Sequence, residues 1–106
     1  MLDTTPLTAA VDQFADRLRA APQSRLQRGA AAAALDLARE LSGWAQRLEA
    51  PGTAEVREMP DAGMFAAADQ LTVAGRDLGV ALRDAGAEDL ARAVEMVEAG
   101  MKRAGV

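Results

Sequence analysis

The spacing of apolar residues is the feature that most constrains the fold of this 106-residue chain. In four separate runs, apolar residues recur at alternating intervals of three and four positions, which places an apolar stripe along one face of an α-helix. The first run contains Leu7, Val11, Phe14 and Leu18. No segment shows the sustained alternation of period two that a half-buried strand would require. The pattern predicts an all-α protein with four helices and no sheet.

Residues typical of helix ends divide these runs. Pro22 ends the first helix, because proline cannot donate a helical hydrogen bond. Ser24 and Gln27 then match a capping box that would open the second helix. Gly86 stands where a left-handed glycine would end the third helix. The predicted helices are near 6–21, 24–49, 61–85 and 87–104.

The lengths of the connections predict how these helices are joined. The first and third connections are short, so each joins antiparallel neighbours into a helical hairpin. The only long connection is a linker at about residues 50–60, with room for one helical turn after Thr53. We therefore predict a single helical domain, residues 1–106, folded as an up-down-up-down four-helix bundle of two helical hairpins.

Two glycines inside the third predicted helix bear on helix packing. Gly75 and Gly79 lie four positions apart on one face, and a glycine inside a helix costs about 1 kcal/mol relative to alanine. A pair on one face indicates that another helix packs there at short distance. We favour an internal crossing with a neighbouring helix of the same chain; an oligomer seam is the alternative.

The residue types that are missing exclude most catalytic chemistry. The chain has no His, Cys or Tyr, which removes the usual general base, the thiol nucleophile and the nitrogen and sulfur ligands of zinc. Acidic pairs at helical spacing, such as Asp12 with Asp16, are interpreted as surface charge opposite the apolar stripes. No phosphate-binding glycine loop is present. We expect a protein that is not an enzyme and that has no cofactor and no metal.

The charge and the absence of long apolar runs restrict the partners. The net charge is −4 at pH 7, which disfavours binding to nucleic acid or to an anionic membrane surface. The first residues lack the basic and apolar regions of a signal peptide. No run approaches the roughly 18 apolar residues of a membrane-spanning helix. We expect a cytoplasmic protein that contacts neither nucleic acid nor membrane.

The predicted helix lengths leave one apolar end of the bundle uncovered. At 1.5 Å per residue, the first and fourth helices would span roughly 25 Å, and the second and third roughly 38 Å. The longer pair would therefore extend past its neighbours at one end. That end contains the only Trp and one of the two Phe residues. The candidate interface residues are Trp44, Leu48, Met59, Met64 and Phe65.

Three alternatives could bury this apolar end: the linker together with residues 1–5, a second copy of the chain in a homodimer, or a different protein. We predict a non-enzymatic protein–protein interaction or regulatory module that self-associates through the apolar end of the second and third helices. One alternative is an acidic inhibitor or immunity-type binder of a basic partner, using carboxylates of the first and fourth helices. The other is a carrier of a small apolar ligand between the helices.

Overall fold

The computed structural model describes residues 1–52 and 55–106. Within these ranges there is no strand, so the predicted all-α four-helix bundle is confirmed. The predicted bounds of the first and fourth helices agree with the structure to within one residue. The four main helices are α1 (Thr5–Ala20), α2 (Ala31–Glu49), α3 (Ala67–Ala81) and α4 (Ala87–Ala104).

The segment between α1 and α2 bends sharply at Gly29. A short helix, Gln23–Arg25, and a wider helical turn, Leu26–Ala30, precede α2. Gly29 has φ 141° and ψ −10°, which residues with a side chain rarely adopt. The predicted second helix over 24–49 has nearly the correct outer bounds, but it is wrong as a continuous helix, because the bend at Gly29 divides it.

Two predicted helix-end signals are also wrong. The capping box of Ser24 and Gln27 does not form, because the short helix already begins at Gln23 and no side chain caps it. Gly86 is not a left-handed stop for the third helix. It has extended backbone angles, φ −85° and ψ 162°, and is the N-cap residue of α4.

The predicted third helix over 61–85 begins six residues too early. The backbone N–H of Gly63 donates a hydrogen bond of 2.9 Å to Asp61 Oδ1, and Gly63 has φ +93°. A positive φ does not belong to a right-handed helix, so α3 begins only at Ala67. At its other end α3 passes into a 3₁₀ turn, Leu82–Asp84.

The observed lengths do not produce the predicted overhang. The helices α2 and α3 contain 19 and 15 residues, whereas α1 and α4 contain 16 and 18. Because α3 is the shortest of the four, the second and third helices do not extend together past the others. The prediction of an uncovered apolar end from helix lengths is therefore wrong.

Contacts between α1 and α3 establish their relative direction. Val11, in the middle of α1, packs on Gly75 in the middle of α3. Arg19, at the end of α1, pairs with Asp69 at the start of α3 at 2.9 Å. The two helices therefore run antiparallel.

Similar contacts establish the directions of the other helices. Leu37 of α2 packs on Gly100 near the end of α4, while Trp44, farther along α2, lies against Arg92 near the start of α4. Thus α2 and α4 are antiparallel. The Arg17 guanidinium, late in α1, bonds to the carbonyl of Val106 just after α4, so these two helices run parallel. The helices run up, down, down, up, and this replaces the predicted up-down-up-down order.

The long connection permits this order because it returns along α2. The Gln46 side chain bonds to the backbone of Arg57, and Arg39 Nε bonds to the Met59 carbonyl at 2.8 Å. The chain thus travels back toward the start of α2 before α3 begins. The connection extends over 50–66, which is longer than the predicted 50–60. The helical turn predicted after Thr53 begins on residues outside the described ranges, and the described residues that follow, 55–57, are not helical.

The helices α1 and α3 approach each other closely, and this confirms the predicted internal crossing at the glycine pair. A Cβ placed on Gly75 would lie 2.7 Å from Val11 Cγ2, and one on Gly79 would lie 3.4 Å from Thr4 Oγ1. The core beside this crossing is apolar, and no polar side chain in the described residues is buried. Its largest fully buried side chains include Phe14, Leu7, Leu37, Leu41, Leu71, Leu78 and Leu82.

Candidate interaction surface

An open groove of about 730 Å³ lies where α2, α4 and the returning connection meet. Both helices are amphipathic, and their packed faces meet beneath it. The groove combines apolar side chains with several charged ones. Its lining residues are Arg39, Glu40, Gly43, Trp44, Arg47, Val56, Glu58, Arg92 and Met96.

Trp44 forms the aromatic centre of this groove. Its side chain is half-buried on the last turns of α2. The guanidinium carbon of Arg92, on α4, lies 4.6 Å from the centroid of the ring, which is the geometry of a cation–π contact. Arg92 also pairs with Asp89 at 3.3 Å, and its side chain is 63% exposed. The indole is therefore covered by a charged group that is itself accessible to solvent.

The returning connection forms one wall of the groove. Arg39 Nε lies 3.0 Å from Glu58 Oε1 and also donates to the Met59 carbonyl. Val56 packs toward Gly43, where a Cβ atom would lie 3.5 Å from Val56 Cγ1. The missing side chain at Gly43 thus gives Val56 room to sit on α2.

The rim of the groove is rich in guanidinium groups. Two of its arginines have acidic partners, Arg39 with Glu58 and Arg92 with Asp89. Arg47 is exposed and forms no ion pair with any side chain in the described part of the chain. A chain of net charge −4 therefore places three arginines around its only tryptophan. The lining also contains Glu40 and Glu58, so three positive and two negative groups give it a formal charge of +1.

The five candidate interface residues predicted from the sequence do not form one patch. Trp44 and Leu48 lie one helical turn apart near the end of α2, and Leu48 is 40% exposed. Met59 is half-buried where the connection passes Arg39 and packs against the core. These three residues lie along α2, between the middle and the end of that helix.

Met64 and Phe65 lie elsewhere. Met64 lines a smaller groove with Leu26 and Leu35, beside the beginning of α2. Phe65 follows it in the turn before α3 and is 72% exposed. The distance along α2 from its start to Leu48 is roughly 25 Å. The prediction joined these residues to Trp44 because it began the third helix at residue 61.

Sequence reasoning missed the charged part of the groove. Arg47 lies three positions after Trp44, so both project on neighbouring parts of one helix face. Arg92 and Met96 are four positions apart on α4 and share a face in the same way. This spacing was visible in the sequence. What the sequence did not reveal is that the start of α4 packs beside the end of α2.

The described residues contain neither a cluster of metal ligands nor a membrane-spanning helix. Over residues 1–52 and 55–106, no group of three or more acidic side chains is placed to hold a metal ion. In the same ranges, no helix has the length and apolar character needed to cross a bilayer. Comparison with protein-family models, curated protein sequences and solved structures finds no match to this chain. What the groove binds is therefore inferred from its own residues.

Proposed function

We propose that this protein is a non-enzymatic interaction module that binds a segment of a partner protein in the Trp44 groove. The observation that supports this most is the stacked pair of Trp44 and Arg92 in an open groove. Tryptophan and arginine are the residue types that most often dominate binding energy at protein interfaces. Methionine, here Met96, adapts its shape to different apolar partners.

The chemistry of the groove favours an acidic segment that also carries an apolar side chain. Arg47 has a guanidinium group free to bind a carboxylate, and such pairs form two parallel hydrogen bonds. Val56 and Met96 add apolar surface to the lining of the same groove. The apolar side chain of the segment would lie against Trp44, and its carboxylate would reach Arg47. Binding of this kind weakens as salt is added.

The runner-up function, an acidic inhibitor of a basic partner, uses a different surface. Its carboxylates lie on α1 and α4, where Asp12, Asp16, Glu95 and Glu98 are all exposed. The helices α1 and α4 are neighbours that run parallel. The two functions require peptides of opposite charge, and binding to this second surface would shift backbone amide signals of α1 and α4 in a ¹H–¹⁵N correlation spectrum, while the Trp44 indole signal would stay unchanged.

The test is a titration followed by the indole N–H signal of Trp44 in a ¹H–¹⁵N correlation spectrum. The chain has one Trp, so this signal reports on the groove alone. The probes are the acidic peptide Ac-Asp-Glu-Leu-Asp-Glu-NH2 and the basic peptide Ac-Lys-Arg-Leu-Lys-Arg-NH2. We expect a saturable shift with the acidic peptide only. A shift with the basic peptide only, or with neither, would overturn the proposal.

Matched variants locate the binding. Arg47→Gln and Arg92→Gln each remove one charge from the groove and are expected to weaken acidic-peptide binding about tenfold. Arg28→Gln is the control, because Arg28 is equally exposed but lies near the Gly29 bend at the other end of the molecule. Equal weakening by all three substitutions would show that only net charge matters, and would contradict a site at Trp44.

A further inference from the structure

Two consecutive stretches of seven residues, beginning in α3, have nearly the same sequence. Residues 73–79 read VAGRDLG and residues 80–86 read VALRDAG, so five of the seven positions are identical. A seven-residue period returns to almost the same side of a helix. The repeat therefore places Val73 and Val80 on one stripe, with an Arg and an Asp beside each of them.

This stripe lies on the outer face of α3. Val73 is 51% exposed and Val80 is 54% exposed. The buried positions of the repeat, which include Gly75 and Leu78, face the bundle instead. Two half-exposed valines one heptad apart on a short helix form an apolar strip that no described residue covers.

The charged residues of the repeat flank the valines. Arg76, Asp77, Arg83 and Asp84 are exposed, and none of them forms an ion pair with another side chain in residues 1–52 or 55–106. At 100° per residue, Arg76 lies on one side of the valine stripe and Asp77 lies on the other. Arg83 and Asp84 follow in the 3₁₀ turn that continues α3, where three residues after Val80 again complete about one turn. The face is thus positive along one border and negative along the other.

We propose that a second copy of this chain docks on this face, with the two α3 helices side by side and parallel about a two-fold axis. Each valine then meets its equivalent in the second copy. The positive border of one α3 meets the negative border of the other, so Arg76 lies beside Asp77 of the second copy and Arg83 beside Asp84. Four ion pairs form around two valine layers.

The charge pattern selects the parallel arrangement. In an antiparallel pair of the same faces, the two positive borders would meet on one side and the two negative borders on the other. Like charges at such positions are destabilising. Only the parallel pair is self-complementary in charge, and a two-fold pair is the commonest way for identical subunits to associate.

The proposed dimer leaves the Trp44 groove open. α3 packs on α1 and α2, and α4 packs on the same two helices from the opposite side. The outer face of α3 therefore points away from Arg92. Since the stripe is only about 18 Å long, the buried area is below that of stable dimers, and association is expected in the range of roughly ten to several hundred micromolar. The dimer does not depend on the proposed function of the groove.

The first test mixes two charge-reversed variants in sedimentation equilibrium at low salt. Arg76→Asp places Asp beside Asp77 at both borders, and Asp77→Arg places Arg beside Arg76. Each variant alone is expected to dimerise at least about tenfold more weakly than the parent. An equimolar mixture restores opposite charges at both borders and is expected to form a heterodimer. A parent that stays monomeric at about 1 mM, or single variants that dimerise like the parent, would overturn the proposal.

The second test determines the direction of the helices. The chain has no Cys, so a Val80→Cys variant can form a disulfide only between two copies. The parallel arrangement places the two substituted positions next to each other, and mild oxidation is expected to give a covalent dimer. Gln13→Cys, at an exposed position of α1, is the control and is expected to give no covalent dimer. Association without crosslinking at position 80 would overturn the parallel arrangement; circular dichroism confirms that both variants are folded.

Discussion

Gly75 packs so closely on Val11 that a Cβ atom at this position would lie 2.7 Å from Val11 Cγ2. Real Cβ atoms almost never approach another atom so closely. One turn later the clearance is normal, because a Cβ on Gly79 would lie 3.4 Å from Thr4 Oγ1. Of the two glycines, Gly75 therefore lies closer to α1, and only Gly79 leaves room for a Cβ atom.

Alanine substitutions at the two glycines are expected to have opposite effects. Gly75→Ala should lower the free energy of unfolding by about 1–3 kcal/mol, because buried Val11 is branched and cannot move aside. Gly79→Ala should raise it by about 0.5–1 kcal/mol, because alanine favours the helix and has room. Urea denaturation measures both values. Stabilisation by both substitutions would contradict the close crossing at Gly75.

The bend before α2 leads to a second prediction about stability. Gly29 has φ 141°, and nothing lies within 4 Å of a Cβ placed there. Gly29→Ala should therefore destabilise the protein by at least about 1 kcal/mol through backbone strain alone. Arg28→Ala is the control, because Arg28 is the exposed neighbour of Gly29 and does not have a positive φ. A loss at Arg28 equal to that at Gly29 would argue against the bend.

The Gln46 side chain of α2 makes two hydrogen bonds that hold the returning connection in place. Gln46 Nε2 donates to the Arg57 carbonyl, and Gln46 Oε1 accepts from the Arg57 N–H, both at 2.8 Å. Gln46→Ala should cost about 1–2 kcal/mol of stability and accelerate hydrogen exchange at the Arg57 amide. The control is Glu40→Ala, since Glu40 is exposed on the same helix. Unchanged exchange at Arg57 in the Gln46 variant would show that the connection does not pack along α2.

Most of the helical architecture could be predicted from the sequence, because it depends on local periodicity. The runs containing Leu7 to Leu18 and Leu90 to Met101 identify α1 and α4 almost to the residue. The errors arise at Gly29 and Gly63, where a positive φ interrupts a pattern that otherwise continues. The spacing of apolar residues contains no information about backbone angles, so it could not predict these two breaks.

The direction of the helices and the composition of the groove were harder to predict. Both depend on where residues 50–66 travel, and hydrogen bonds of Gln46 and Arg39 to distant backbone atoms determine that path. The short connections predict two hairpins, each made of two neighbouring helices. Instead, the bend at Gly29 lets the chain cross one end of the bundle. Trp44 stands out in the sequence as the only tryptophan, but its stacking partner Arg92 is 48 positions away.

The contact of Arg92 with Trp44 can be measured by fluorescence. Arg92→Ala exposes the ring face to water, so the Trp44 emission should shift to longer wavelength, with a stability loss of about 0.5–1 kcal/mol. Arg103→Ala, farther along α4 and away from Trp44, should leave the spectrum unchanged. A spectrum that is insensitive to Arg92→Ala would contradict the stacked arrangement.

An accessible indole surrounded by arginines is tested most directly by comparing iodide and caesium as quenchers of Trp44 fluorescence at constant ionic strength. Each quenching constant is divided by that of N-acetyl-tryptophanamide, which corrects for the different efficiencies of the two ions. Because the arginines attract anions and repel cations, we expect the relative constant for iodide to exceed that for caesium. Caesium quenching equal to or stronger than iodide quenching, or quenching by neither ion, would contradict an open, positively charged groove at Trp44.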